Sequence, residues 1–287
     1  MYKPRFPIYI ISKNRWNNRP TANMLEKMNL DYYIVVEQDQ YEEYKKVVKG
    51  TVLVLPQEYL DNYDTFWPRD TDNRTGPGAA RNFCWQHAID SGFSHHWVLD
   101  DNIVSIQRFN NNVKVPCANG TPFYVMEDFV LRFKNIALAG PDYTIFCPYS
   151  ECRPALRFNT RIYSCLLIDN SISFRWRGRY NEDTDLSLRV LKSGLVTVEF
   201  NCFLQEKLTT CKLKGGNTEE FYTKEGTLNK SQMLVDMHPD VTKLSNKFHR
   251  DHHEVNYKPF KHNVPIYKDD YIVNNKVNDF GMKLTSV

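Results

Sequence analysis

Three short segments of the chain carry carboxylates, amides and an arginine in patterns that could do chemistry. The first is Asp100-Asp101-Asn102, which follows directly on the apolar run Trp97-Val98-Leu99. Two acids and an amide at a strand end present oxygens of the kind that hold a hard divalent cation, and such a cation can bridge phosphates. A polar turn closing a strand has the same composition, because Asp and Asn are ordinary turn residues. The second segment is Gly76-Pro77-Gly78 with Arg81-Asn82 behind it. Its glycines permit close backbone approach to a ligand, and Arg81 on the first helical turn can reach a phosphate or ribose. A plain Gly-Pro turn before a helix reads equally well. The third is Asn181-Glu182-Asp183, with Asp185 close behind. Asp183 could take a proton from an acceptor hydroxyl as a general base. Alternatively, these acids only cap a helix and complement its macrodipole.

These segments need a scaffold, and the hydrophobic pattern supplies one. Ile8-Tyr9-Ile10-Ile11, Tyr32-Tyr33-Ile34-Val35-Val36 and Val52-Leu53-Val54-Leu55 are apolar runs of strand length. Between them lie a helix that Thr21 can cap, running to about Met28, and another carrying Tyr41, Tyr44, Val47 and Val48 and ended by Gly50. A polar loop over residues 57–75 leads to the Gly-Pro-Gly segment, which opens a helix to about Ser91-Gly92. This alternation predicts right-handed crossovers and a parallel sheet, in which ligands bind at the carboxyl ends of strands. Beyond Asn102, residues 103–109, 144–147, 163–169 and 195–200 read as strands. One helix is expected to begin near Met126, and another carries Leu186, Val190 and Leu191 to Gly194. The first hundred residues read as a nucleotide-binding α/β half, and beyond Glu206 the chain turns polar and lysine-rich.

Composition narrows the class. At 287 residues, 41% hydrophobic and 25% charged, the chain suits a globular protein with a substantial core. A net charge of +3 does not by itself point to nucleic acid. Aromatics at 14% fit a well-filled core, or rings for stacking on sugars or bases. The seven cysteines form no CxxC pair and most sit beside apolar residues, so reduced, largely buried thiols are expected rather than zinc. No run approaches the ~18–20 apolar residues of a membrane span, and the start lacks a signal-peptide pattern. A soluble, cytoplasmic protein is expected.

In this order and spacing the three segments resemble the GT-A glycosyltransferases. Asp100-Asp101-Asn102 stands where that fold has its DxD-type motif. Asn181-Glu182-Asp183 resembles the xED motif of the inverting members, as does the run from Glu182 to Arg189 with Lys192-Ser193-Gly194 behind it. Gly78-Ala79-Ala80-Arg81-Asn82 resembles the donor-side segment before the DxD strand. The likeness covers roughly residues 8–205. A narrower one is carried by Ile8-Tyr9-Ile10-Ile11-Ser12-Lys13-Asn14-Arg15, Thr21, Tyr33-Ile34-Val35-Val36-Glu37, Tyr41 and Tyr44. These resemble the TET/JBP-associated glycosyltransferases, with which phages attach sugars to hydroxymethylated pyrimidines in DNA; one branch transfers arabinose to hydroxymethylcytosine.

The resemblance implies an α/β, Rossmann-like GT-A fold: a mixed, mostly parallel sheet flanked by helices. It implies a catalytic core over 1–205, with a nucleotide-binding half (1–110) and an acceptor half (111–205), and the polar extension over 206–287 packed on it. It places Ser12, Arg15 and Glu37 near the uridine of a UDP-sugar, with Gly78, Arg81, Asp100 and Asp101 also on the donor. Asp100, Asp101 and Asn102 would hold Mn²⁺ or Mg²⁺, with a late histidine such as His252 (or His249 or His253) as a further ligand. Asn102 departs from the family pattern, and a neutral amide binds a cation more weakly than an acid. Asp183, with Glu182, would be the catalytic base of an inverting transfer. The acceptor would be 5-hydroxymethylcytosine in phage DNA, in the cytoplasm of the infected host. Its base would be flipped out and stacked on Trp176 or Tyr180. Arg175, Arg177 and Arg179, with Lys207, Lys212, Lys214, Lys243, Lys247 and Arg250, would track the DNA phosphates. The sugar stays open among arabinose, glucose and N-acetylglucosamine. Two other readings stand beside this one: a polysaccharide or protein acceptor, and a non-catalytic DNA-binding module on the same fold.

Overall fold

Through the first hundred residues each apolar run becomes a strand, and each amphipathic stretch between them a helix. The computed structural model describes residues 2–66, 76–148, 154–208, 228–247 and 250–272. The chain proceeds through β1 (Ile8–Ile11), α1 (Pro20–Lys27), β2 (Tyr33–Val36), α2 (Tyr41–Lys45), β3 (Thr51–Val54), α3 (Gln57–Asp61), α4 (Gly78–Asp90) and β4 (His95–Asp100). These four strands are parallel. There follow β5 (Ile103–Asn110), β6 (Val113–Pro116), α5 (Thr121–Val130), β7 (Ile136–Tyr143), β8 (Leu156–Phe158), β9 (Cys165–Asp169), α6 (Glu182–Lys192) and β10 (Val196–Lys207). One ten-stranded sheet results, in the order β3-β2-β1-β4-β9-β7-β10-β5-β6, with β8 beside β10. Only β5, β8 and β9 run against the rest, among the described residues. The architecture is the mixed, mostly parallel GT-A-like sheet expected from the sequence.

Topology locates the site before any side chain is considered. β1 pairs with β2 on one side and with β4 on the other. The chain therefore moves outward from β1 to β3 and returns to the far side of β1. At such a reversal the loops leaving adjacent strands part and open a crevice at the strand ends. Ser12 to Arg15 leave β1 there, and Asp101-Asn102 leave β4, with Ile11 and Asp100 in register.

The sheet buries both faces, as a mostly parallel sheet must. Ile8, Ile10, Ile34, Val36, Trp97 and Leu99 pack with Leu25 of α1, Tyr44 of α2 and Phe123, Met126 and Phe129 of α5. On the opposite face Tyr9, Val35 and Val98 pack with Ala79, Cys84, Trp85 and Ala88 of α4 and Leu186 and Val190 of α6. The remaining elements are α7 (Leu228–Met237), β11 (Thr242–Lys247) and β12 (Arg250–Val255). Leu234, Val241 and Phe260 from this region close over Leu188 and Leu191 of α6. No helix among the described residues is long and apolar enough to cross a membrane.

Several elements depart from expectation, among them α3 (Gln57–Asp61), a helix at the start of the stretch expected to be a polar loop. Residues 144–147 are not a strand: β7 ends at Tyr143 and a single 3-10 turn follows. The strand itself reads Ile-Ala-Leu-Ala-Gly-Pro-Asp-Tyr, whose small residues and proline give little β signal. Gly140 is required there, because a Cβ would lie 2.2 Å from the Cys165 carbonyl oxygen of β9. Helix α5 begins at Thr121 rather than near Met126, with Pro122 in its first turn. Strand β10 does not stop at 200 but runs to Lys207, across a register shift against β7 and another at Glu206/Lys207.

One buried acid holds the amino-terminal segment to this core. Glu127 of α5 is fully buried. It accepts hydrogen bonds from the Trp97 indole (2.8 Å) and from the backbone N–H groups of Arg5 (2.7 Å) and Phe6 (3.4 Å). Burial pushes its pKa up to about 7. Replacing Glu127 by Leu leaves three donors without an acceptor, so a loss of about 2–4 kcal/mol is expected in urea denaturation. Glu127→Gln keeps an acceptor and is expected to lose less.

Candidate active site

The turn after β4 is held from below by helix α1. Thr21 lies in the first turn of α1, rather than capping it as expected. Its hydroxyl donates to the Asp100 carbonyl (2.6 Å) and accepts from the Ile103 N–H (2.8 Å), which fixes the Asp100–Ile103 backbone. Within that turn the two acids face different partners. Asp101 is buried and accepts from the Arg15 guanidinium and from the Ser12 hydroxyl (2.8 Å). Tyr44 completes the ring, 2.6 Å from the Ser12 oxygen and accepting from the Arg15 N–H at 2.9 Å. Asp101 thus locks the loop after β1 to the turn after β4.

Asp100 faces the other way, into a constellation centred on Arg81. This guanidinium is 2% exposed and lies 4.6 Å above the ring of Trp176. It donates to Asp100 Oδ1 (2.7 Å), to Glu182 Oε1 (3.0 Å) and to Asp183 Oδ1. The three segments singled out by their chemistry are therefore joined through one side chain. The second oxygen of Asp100 accepts from Lys207 Nζ at 2.7 Å. Burial disfavours the Asp100 anion, but Lys207 and Arg81 together hold its pKa below the usual carboxylate range.

Asp183 has the opposite balance. Burial, with Glu182 and Asp100 nearby, outweighs Arg81 and pushes its carboxyl up to about 7. It does not cap α6: Asn181 occupies the N-cap position, at φ 54°, and no side-chain cap bond forms. Its Oδ2 accepts instead from the Ser164 N–H at 3.2 Å. Ser164 is a junction of its own. At φ 66° it adopts a left-handed conformation unusual for serine, of the sort found at functional sites. Its hydroxyl receives Lys207 Nζ (2.6 Å), and its carbonyl receives the Asp100 N–H (2.8 Å). Neither Ser164 nor this placement of Lys207 was signalled by the sequence pattern.

Ser12, Arg15, Glu37, Arg81, Asp100, Asp101, Asn102, Glu182 and Asp183 all line one cavity of about 380 Å³, within the range of small-molecule sites. A carboxyl poised near neutrality beside a permanently charged one is the arrangement of an acid–base pair. A family model described as TET-Associated Glycosyltransferase matches residues 6–216. The chain belongs to this family. A comparison with curated proteins gives no match. The matched span of this TET-associated glycosyltransferase takes in every segment around Arg81, from the β1 loop to Lys207.

Several expected roles change in the folded enzyme. Gly78 does not line the cavity; a Cβ there would sit 1.8 Å from the Tyr63 hydroxyl, so close packing explains the glycine. Glu37 does line it, paired with Lys13 at 2.9 Å. The connector 175–179 is not a free DNA-binding face. Arg177, Arg189 and His238 converge on Asp185, which is fully buried and needs them. Arg175 donates to two nearby carbonyls and stacks on Trp85. Arg179 is buried, and Trp176, 2% exposed beneath Arg81, cannot stack on a base. Lys212 and Lys214 lie outside the described residues. His252 sits in the β11–β12 hairpin opposite Ser245 and does not line the cavity.

The residues present do not make a cation cage. Both oxygens of Asp100 already accept from protein cations, and both oxygens of Asp101 are turned to Arg15 and Ser12. Asn102 donates to the Leu208 carbonyl and leaves a buried amide oxygen without a protein partner. Among the described residues no group of three His, Cys, Asp or Glu could hold a metal ion.

Arg81→Leu removes the cation shared by three carboxylates, and a loss of about 3–5 kcal/mol is expected. Adding Glu182→Gln to it should restore part of that loss. A double-mutant cycle in denaturant is expected to give a coupling of about 1 kcal/mol or more.

Proposed function

We propose that the enzyme transfers a sugar from a UDP-sugar to the hydroxymethyl oxygen of 5-hydroxymethylcytosine in DNA, with inversion at the anomeric carbon. The observation that carries this reading is Asp183: a half-buried carboxyl lining the cavity, raised to about 7 and separated from Asp100 by a single guanidinium. A base is most effective when its pKa lies near the working pH. In the proposed step Asp183 takes the proton of the acceptor hydroxyl as its oxygen bonds the anomeric carbon. The bond to the diphosphate breaks on the opposite face, and its electron pair leaves with UDP. Arg81 keeps the carboxylates together and holds the charge of Asp100 close to the base.

The donor nucleotide is assigned from the family resemblance of the β1 and β2 strand ends, which line the same cavity as Asp100. An acceptor base is supported by aromatic residues on the cavity wall. Tyr143 and Phe146 meet edge to face at 5.5 Å, and Tyr163 lies 6.3 Å from Tyr143 beneath Arg161 at 4.8 Å. Phe146 is 41% exposed. A flipped pyrimidine would find a stacking surface here rather than on Trp176.

The test is mass spectrometry of nucleosides after incubating hydroxymethylcytosine DNA with UDP-arabinose, UDP-glucose or UDP-N-acetylglucosamine. Asp183→Asn is expected to slow transfer about 10²- to 10⁴-fold. Wild-type kcat/KM should rise with pH and level off above about 7, since only the ionised carboxylate accepts a proton. Transfer by Asp183→Asn near the wild-type rate would remove the assigned base. Stability carries a second sign. A carboxyl raised in the folded state binds more protons than in the unfolded chain between about pH 4 and 7, so stability falls as pH rises through that window. Asp183→Asn should therefore melt higher than wild type at pH 8, and by less at pH 5.

A further inference from the structure

The departing diphosphate gathers negative charge on its bridging oxygen, and some cation has to meet it. The strand-end turn gives a divalent cation no vacant carboxylate. Asp100 is bracketed by Arg81 on Oδ1 and Lys207 on Oδ2, each at 2.7 Å. A cation bound at Asp100 would lie against both of these positive groups. The open oxygen in the turn belongs to Asn102, which is neutral.

Lys207, by contrast, is built into the position. The longer course of β10, with its irregularity at Glu206/Lys207, carries it to the cavity. Its side chain is 11% exposed, and two of its three N–H donors are fixed by Asp100 and by Ser164 at 2.6 Å. Ser164 is held in a left-handed conformation and donates its own N–H to Asp183. One residue thus sets the spacing between the ammonium and the proposed base, and the third N–H of Lys207 remains for a ligand. We propose that Lys207, oriented by Asp100 and Ser164, takes the place of a divalent metal ion and binds the diphosphate of the donor directly. In the transfer step the anomeric carbon–oxygen bond breaks with its electron pair on the β-phosphate oxygen. Lys207 stabilises that oxygen by a charge-assisted hydrogen bond and keeps its proton, while the acceptor proton goes to Asp183.

This inference rests on the donor reading above, and the experiment separates the two. UDP is titrated calorimetrically into the unmodified enzyme after dialysis against EDTA, and again with millimolar Mn²⁺. ADP, CDP and GDP are run beside it. The expected result is UDP binding in EDTA with a Kd within about threefold of that in Mn²⁺. Lys207→Met should weaken binding in EDTA about 10- to 100-fold, the worth of a hydrogen bond to a charged group, and Lys207→Arg should recover part of it. Binding that needs Mn²⁺, or that survives Lys207→Met unchanged, would overturn the proposal and leave the donor reading standing. Binding of none of the four nucleotides in either medium would sink the donor reading, and the proposal with it.

Discussion

One buried guanidinium organises this enzyme. Arg81 meets three carboxylates from two distant segments, Asp100 at the end of β4 and Glu182 and Asp183 at the start of α6. Without it, three half-buried acids would converge with only Lys207 to offset them, which is costly. With it, they cannot all be satisfied equally. Asp100 gains a second cation in Lys207 and is held low, whereas Asp183 has only its share of Arg81 and is pushed up to about 7. The division between a permanent anion and a proton acceptor follows from the unequal sharing of one cation.

The fold makes that sharing rigid. Trp176 forms the floor under the guanidinium, and Tyr63 fills the space that Gly78 leaves open. Thr21 pins the turn after β4, and the Asp101–Arg15–Ser12–Tyr44 ring ties it to the loop after β1. These contacts surround the switch point of the sheet, so the site owes its place to strand order and its precision to hydrogen bonds. The neighbouring acids of the turn divide these roles. Asp101 holds the scaffold together, and Asp100 faces the cavity.

Much of this was legible before the structure. Apolar runs ending in acids located the strand ends, and the Asn-Glu-Asp segment before an amphipathic run located the proposed base. What could not be read depended on contacts far apart in sequence. Lys207 looked like one of many C-terminal lysines, because nothing local shows that β10 continues past Phe200 across two irregularities. Arg175, Arg177 and Arg179 looked like a basic face, because the buried demand of Asp185 appears only when α6 packs. Trp176 has the chemistry of a stacking ring, but the folded chain buries it. Gly78 suggests room for a ligand, whereas it makes room for Tyr63. In each case the deciding partner is met only in the folded chain.

The shared arginine also bears on how the two halves of a transfer reaction would be timed. Under the proposed reading, negative charge grows on the diphosphate beside Lys207 as the bond to the anomeric carbon breaks. Lys207 is then drawn partly toward the leaving oxygen, Asp100 leans more heavily on Arg81, and less of that guanidinium's field remains to stabilise the Asp183 anion. The proton affinity of Asp183 rises as a result, at the moment the acceptor hydroxyl must release its proton. An isolated base in water would feel no such change, since solvent would screen the leaving group. In a buried cluster sharing one guanidinium, bond cleavage on one face and proton uptake on the other reinforce each other, and the carboxyl need not be strongly basic beforehand.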